Sequence, residues 1–147
     1  MYSISSKAGN ECNMNICTYV SAVSMQPKRM MVAIYENTKT LDLVNKNLHF
    51  VLQILATAQY RLVDLLGKKS GHSVDKISRL EKRNLLTEWN EFKILKESIA
   101  IMELKVIDTI EGGDHNIFLC DVVAYKNLND GNALTLDDLR AHKLISS

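Results

Sequence analysis

The sequence is poor in the residues that would tie it to a disulfide framework, a zinc site or a nucleic acid. Cysteine occurs three times, at Cys12, Cys17 and Cys120, with no CxxC pair and no Cys/His ligand spacing. Disulfide and zinc readings therefore both fail, and a reducing cytoplasm fits the thiols best. Charge of either sign is not in excess: 18 Lys and Arg against 17 Asp and Glu leave a net charge of +1. No like-charge block is long enough to serve as an arm, which removes nucleic-acid binding through a basic face and leaves room only for a local phosphate site. No apolar run approaches the ~20 residues of a membrane span, and a chain start as polar as this one lacks a signal-peptide core. The expectation is a soluble, unprocessed, cytoplasmic chain with no membrane partner. GxGxxG is missing, and so is a regular alternation of strands and helices, which excludes a dinucleotide-binding parallel sheet. Paired carboxylates, a nucleophile elbow and a metal-binding helix are also missing, and hydrolytic or metal-dependent chemistry with them. No repeat, linker or low-complexity tract divides the chain.

What is present is an ordinary globular balance, 46% hydrophobic and 24% charged over 147 residues. A chain of that length buries roughly 70% of its extended surface, so residues 1–147 are expected to form one domain resting on its own core. Met1 to Lys7 alternates with the period of a half-buried strand, Tyr2 and Ile4 against Ser3 and Ser5. Asn13 to Met25 is rich in strand formers and reads as one bent strand or two, closed by Pro27, the only proline. RMMVAIY (29–35) is an apolar central strand. Thr40 is then placed to cap a helix carrying Leu41, Val44 and Leu48. Phe50 to Leu55 is a further strand, and 58–67 a short helix with Gly67 in the C-cap place. The stretch 68–98 reads as loop and partial cover. Ala100 to Ile110 and Ile117 to Tyr125 alternate clearly and form a long hairpin across EGGDH, and LTLDDLRAHKL offers a last turn. Antiparallel strands with few helices make an α+β or mainly β protein, and a Greek-key barrel is the economical closure.

Three features carry chemistry, each with a plain alternative. Thr38 and Thr40 stand where a loop meets a helix start, a place that suits an anion but also simple capping. Asp42 disfavours an anion there, and Lys39 partly offsets it. Asn15, Thr18, Ser21 and Ser24 recur as polar positions inside a strand-like run. They form either the solvated side of an edge or, through a bulge, a wall turned toward a ligand. His115 follows Gly-Gly-Asp, either as a surface turn residue or as a group aimed at something. Cys17 and Cys120 read as small packed residues with no basic partner near in sequence.

In order along the chain, NMNICTYVSAVSMQP, VAIYENTKTLDLV, FVLQIL, SVDKISRL and GGDHNIFLCDVV resemble the flavin reductase-like family, the FMN-binding split barrel. The resemblance covers most of residues 1–126, and the tail is similar too. It implies a mainly β fold, a six-stranded antiparallel Greek-key split barrel with short peripheral helices, and a homodimer. It also implies FMN, sometimes FAD, as cofactor and hydride transfer from NADH or NADPH to flavin. The alternatives are a flavoredoxin-like electron carrier and a barrel without flavin that serves as an interaction module. By position, the resemblance sets Asn15, Cys17 and Thr18 against the flavin ring and ribityl chain, and Ser21, Val23 and Ser24 along the same wall. It sets Asn37, Thr38, Lys39 and Thr40 at the phosphate, and His115 beside the ring and the nicotinamide pocket. Three positions depart from the family pattern: Lys28 follows Pro27 where a second proline is frequent, Gln53 replaces an asparagine, and Cys120 replaces a glycine.

Overall fold

The computed structural model describes residues 1–146. It is mainly β, and its principal sheet is antiparallel throughout. The sheet contains β1 (Tyr2–Ala8), β2 (Glu11–Cys17), β3 (Val20–Met25), β4 (Lys28–Tyr35), β5 (His49–Ile54), β8 (Ala100–Glu111) and β9 (His115–Asn127), in the order β2-β1-β5-β8-β9-β4-β3. β4 lies beside β9 rather than beside β5, its successor among these strands, which is Greek-key order. Two strands, β6 (Leu86–Trp89) and β7 (Phe92–Leu95), make a separate hairpin.

Seven hydrogen-bonded strands stand in place of the six expected, and the sheet does not close by pairing its edges, β2 and β3. The reason lies at Thr18 and Tyr19. There the Val20 N–H donates to the Thr18 carbonyl and the Ala33 N–H donates to the Tyr19 carbonyl. The segment 13–25 thus breaks into two strands at a corner that carries the chain from one edge of the sheet to the other.

Phe50, Phe118, Ile4, Leu52 and Val32 pack together as the first core, between strands of the principal sheet. The helices α2 (Val63–Lys68), α3 (Lys76–Lys82) and α4 (Leu136–Ala141) enclose a second core on Met14, Leu55, Leu66 and Leu80. The β6–β7 hairpin covers a third, with Val51, Phe92, Ile94 and Ile101.

The stretch 68–98 is the cover expected of it, with a helix and a hairpin where loop was expected. That cover corrects the expectation of a half-buried first strand. β1 is buried on both faces, with Ser3 and Ser5 as inaccessible as Ile4. The Ser5 hydroxyl donates to the Lys93 carbonyl, and Gln53 bridges the layers by donating to Ser3 Oγ at 3.2 Å and accepting from the Leu95 N–H at 2.6 Å. Polar side chains read as solvent-facing are instead hydrogen-bonded inside, as burial requires.

Two helix ends also differ. α1 (Lys39–Lys46) is capped by Thr38, whose Oγ1 accepts from the Leu41 N–H, and not by Thr40, which is its second residue. The helix expected over 58–67 is a 3₁₀ turn, Thr57–Leu62, followed by α2. Gly67 lies within α2, where a Cβ would stand 3.3 Å from Ile16 Cγ1, so its smallness serves packing on β2 rather than a cap. The tail forms α4 with a Thr135/Asp138 capping box. Among the described residues no helix is long and apolar enough to cross a membrane.

Candidate functional site

The EGGDH turn joins β8 to β9. Gly113 has φ 112°, a conformation that a side chain disfavours, and a Cβ on Gly112 would sit 3.0 Å from the His115 carbonyl oxygen. The two glycines therefore allow the reversal that places His115 at the first residue of β9, opposite Tyr35 of β4. Its ring is largely covered. Tyr19 lies 4.8 Å away, tilted, and Tyr35 5.0 Å away, edge-on. Nδ1 is 2.7 Å from Asp114 Oδ1. A carboxylate only accepts, so this contact favours the proton on Nδ1.

His115, Tyr19 and Tyr35 line a small pocket of about 80 Å³ with Asn15, Cys17 and Thr18. Asn15, Ile16 and Tyr35 also line a cleft of about 470 Å³, so the two spaces adjoin. One wall of the cleft is the entry to α1, Asn37 to Thr40; the other is the segment from Gly67 to Gly71 together with Lys76. Asn37 has φ 61°, which asparagine tolerates better than most residues. The structure thus brings together His115, Asn15, Cys17, Thr18, Asn37, Thr38, Lys39 and Thr40.

It does not bring Ser21, Val23 and Ser24 to them. These lie on the edge strand β3, with Ser21 and Val23 exposed at a register shift between Ala22 and Ser24. Ser24 lines a different groove with Met25, Met102 and Tyr125. The bulge raised in the sequence reading is present, but in this chain it turns Val23 outward.

Two atoms in the cleft lack what burial demands. Asn15 Oδ1 is buried with no hydrogen-bond partner among the described residues. Lys76 is 3% exposed, donates to the Leu66 carbonyl at 3.0 Å, and has no carboxylate partner among the described residues. Burial lowers its pKa to about 8. A buried, unpaired cation beside a helix N-terminus is an arrangement that an anion would complete.

The threonine hydroxyls are less free than their positions suggest. Thr38 donates to the Tyr35 carbonyl at 2.8 Å, and the buried Thr40 accepts from Asn13 Nδ2 at 3.0 Å. The Leu41 and Asp42 N–H groups are already spent on Thr38, so the unspent backbone donors on that wall are those of Lys39 and Thr40, the first two residues of α1.

Cys17 and Cys120 behave as packed thiols. Burial pushes both pKa values up to about 12, and Cys17 Sγ contacts the Ala33 carbonyl. Among the departures, Gln53 and Cys120 lie inside the fold, while the Lys28 ammonium stands 4.9 Å from the Tyr125 ring. None of the three lines the cleft or the small pocket. Sequence reasoning missed Lys76 and the 69–71 segment, because a lysine in a charged stretch reads as solvated. The one available signal was Asp75, which caps α3 and so places Lys76 on the first helical turn.

Among known proteins, an uncharacterised protein of Pyrococcus abyssi is 31% identical over 84% of this chain and 71% of its own length. A high molecular weight rubredoxin of Moorella thermoacetica is 25% identical over 92% of the chain, and an FMN reductase (NADH), RutF, of Acinetobacter baylyi is 24% identical over 78%. The chain spans only 58% and 59% of those two relatives. An FMN-binding protein from Thermus thermophilus superposes with a TM-score of 0.76 at 24% identity, covering 86% of this chain and 68% of that one. A flavoredoxin from Methanosarcina acetivorans superposes equally well, at 20% identity over 86% and 67%. The model of the flavin reductase like domain matches residues 1–144, and the chain belongs to that family.

Proposed function

We propose that residues 1–147 act as one FMN-binding unit in which NADH reduces the flavin. The observation that carries this reading is the pair of incomplete groups in one cleft: among the described residues, a buried ammonium at Lys76 has no counter-ion and a buried oxygen at Asn15 has no donor. A flavin phosphate supplies the anion, and the rest of the ligand supplies N–H and O–H groups. Asn15, Cys17 and Thr18 stand at the ring end, and Asn37, Thr38, Lys39, Thr40 and Lys76 at the phosphate end. The small pocket has the volume of about two or three waters, so it seats an edge of a ring and not the ring. FMN is the flavin named for the Thermus and Acinetobacter relatives, and we take it in preference to FAD.

Bound flavin supplies the hydride-accepting chemistry. The chain holds the two reactants in line, which is worth about 7–11 kcal/mol of barrier when alignment is complete. Backbone N–H groups of the α1 entry hold the phosphate, Lys76 balances its charge, and His115 with Tyr19 and Tyr35 forms an apolar lip against water. Ser21, Val23 and Ser24, on the far edge strand, join this reading only as residues offered to the site of a second copy in a homodimer. The setting we assign is the cytoplasm.

The rubredoxin-related protein, which matches over 92% of this chain, favours a second reading: electron exchange with a protein partner without nicotinamide. Titration of the purified protein with FMN, followed by anaerobic NADH, separates the readings. Saturable uptake and bleaching near 450 nm support the first; uptake without bleaching supports the second; no uptake removes both. The Thr38→Ala/Thr40→Ala double variant is expected to bind FMN roughly tenfold more weakly. It loses the helix cap, worth about 1 kcal/mol, and the Asn13 contact. Unchanged affinity by fluorescence quenching would remove that wall from the site.

A further inference from the structure

Asn13, which no earlier argument gave a role, touches both walls of the cleft. It lies on β2 opposite Ser6 and is 3% exposed. On one side its Nδ2 donates to Thr40 Oγ1 at 3.0 Å, and Thr40, itself fully buried, belongs to the first turn of α1. On the other side the same amide lies flat against Gly71. A Cβ built there would stand 2.6 Å from Asn13 Oδ1, 2.9 Å from Cγ and 3.0 Å from Nδ2.

Gly71 is not required by its backbone. Its φ is outside the left-handed region that excludes side chains, unlike Gly9, Gly113 and Gly131. The contact with Asn13 is therefore what keeps the position bare. A planar amide, anchored by its strand, is held between a helix entry and a loop that otherwise meet at the exposed His72–Asp42 pair, 3.6 Å apart. Five residues beyond Gly71 the same loop delivers Lys76, and Asn13, Lys39, Gly71 and Lys76 line both this cleft and the space next to it. A change in the Asn13–Gly71 distance moves the loop that leads to Lys76 relative to the N–H groups of α1.

We infer that Asn13 is a positioning residue: it is the spacer that fixes the width of the cleft between the α1 entry and the 69–76 loop, and so sets its fit to a phosphate group. The inference rests on the flavin reading above. Asparagine suits the task because the amide donates to Thr40 without adding negative charge beside an anion. Aspartate has the same shape but lacks the donor and repels the ligand.

The test compares FMN with riboflavin, which lacks the phosphate, on wild type and four variants, with melting curves taken without flavin as the folding control. Gly71→Ala is expected to weaken FMN binding by roughly three- to tenfold, the range of one lost hydrogen bond of ordinary strength, and riboflavin binding much less. Asn13→Ala is expected to do the same. The Asn13→Ala/Gly71→Ala variant is expected to bind FMN no more weakly than Asn13→Ala alone, because the added methyl then has space; contacting sites couple in this way and distant ones do not. Losses that add, or FMN affinity unchanged in Gly71→Ala, would overturn the inference. Should Gly71→Ala fail to fold while the double variant folds, the clash is confirmed. Should both fail, Asn13→Ser, which shortens the side chain without adding charge, decides: selective loss of FMN over riboflavin supports the spacer, and equal loss of the two refutes it. Wild type that binds riboflavin as tightly as FMN would instead remove the phosphate assignment itself.

Discussion

Replacing Lys76 by methionine is expected to weaken FMN binding by roughly ten- to hundredfold while riboflavin binding stays within about twofold, because a charge-assisted bond to phosphate is worth about 1.5–3 kcal/mol. Lys76 is buried, its one partner is the neutral Leu66 carbonyl, and its pKa falls from 10.5 to about 8. The folded state therefore disfavours the charged form. Between pH 8 and 10.5 the unfolded chain binds more protons than the folded one, so the unliganded protein gains stability as pH rises through that window. Below pH 8 the full cost is present, of the order of 3 kcal/mol at most. A cation that costs this much has a compensating use, and an anion in the cleft provides it.

Binding reverses the sign. Phosphate favours the ammonium, so FMN affinity is level from about pH 7 to 8, where the phosphate is fully ionised, and declines above that. In Lys76→Met both dependences vanish: the melting temperature no longer rises from pH 8 upward, and the FMN dissociation constant ignores that range. If the FMN dissociation constant of Lys76→Met matches that of wild type and keeps its rise above pH 8, the phosphate lies elsewhere.

The strand plan was legible because alternation survives wherever one face meets solvent. The β8–β9 hairpin and the apolar β4 follow the spans read from the sequence closely, and the turn glycines announce the reversal at His115. β1 deceived because its serines meet a hairpin contributed from residues 86–95, and period-2 logic knows nothing of a layer supplied from far along the chain. The strand count differed for a local reason, since two residues at the Thr18–Tyr19 corner separate a bent strand from two strands. In the site, the α1 entry could be found because helix starts have a chemistry of their own, although capping fell to Thr38 and not Thr40. Lys76 could not, since nothing in a run of mixed charges marks the one lysine that tertiary packing buries. Asn13 was hidden by the same kind of contact: its partners, Thr40 and Gly71, are brought to it by the fold alone.

His115→Ala is expected to slow the bleaching of protein-bound FMN by NADH by roughly a hundredfold, the scale of misalignment between reacting rings, with FMN affinity little changed. The separation of the two effects follows from the layout. His115 lines the small pocket but not the cleft that holds Lys76 and the α1 entry, so the phosphate contacts survive its removal. What is lost is a side chain that fixes two others, since Tyr19 and Tyr35 both pack on the imidazole. Without it the lip of the pocket becomes mobile and water reaches the ring edge. Asp114→Asn distinguishes packing from charge. Its amide can still bond Nδ1, now as donor or acceptor, so the ring remains in place while the preference for the Nδ1 proton disappears. If packing is the main contribution, Asp114→Asn keeps most of the wild-type rate; if the tautomer matters, it falls with His115→Ala. Stopped-flow bleaching under anaerobic conditions measures both, and a wild-type rate in His115→Ala would reduce the histidine to a turn residue that merely faces its tyrosines.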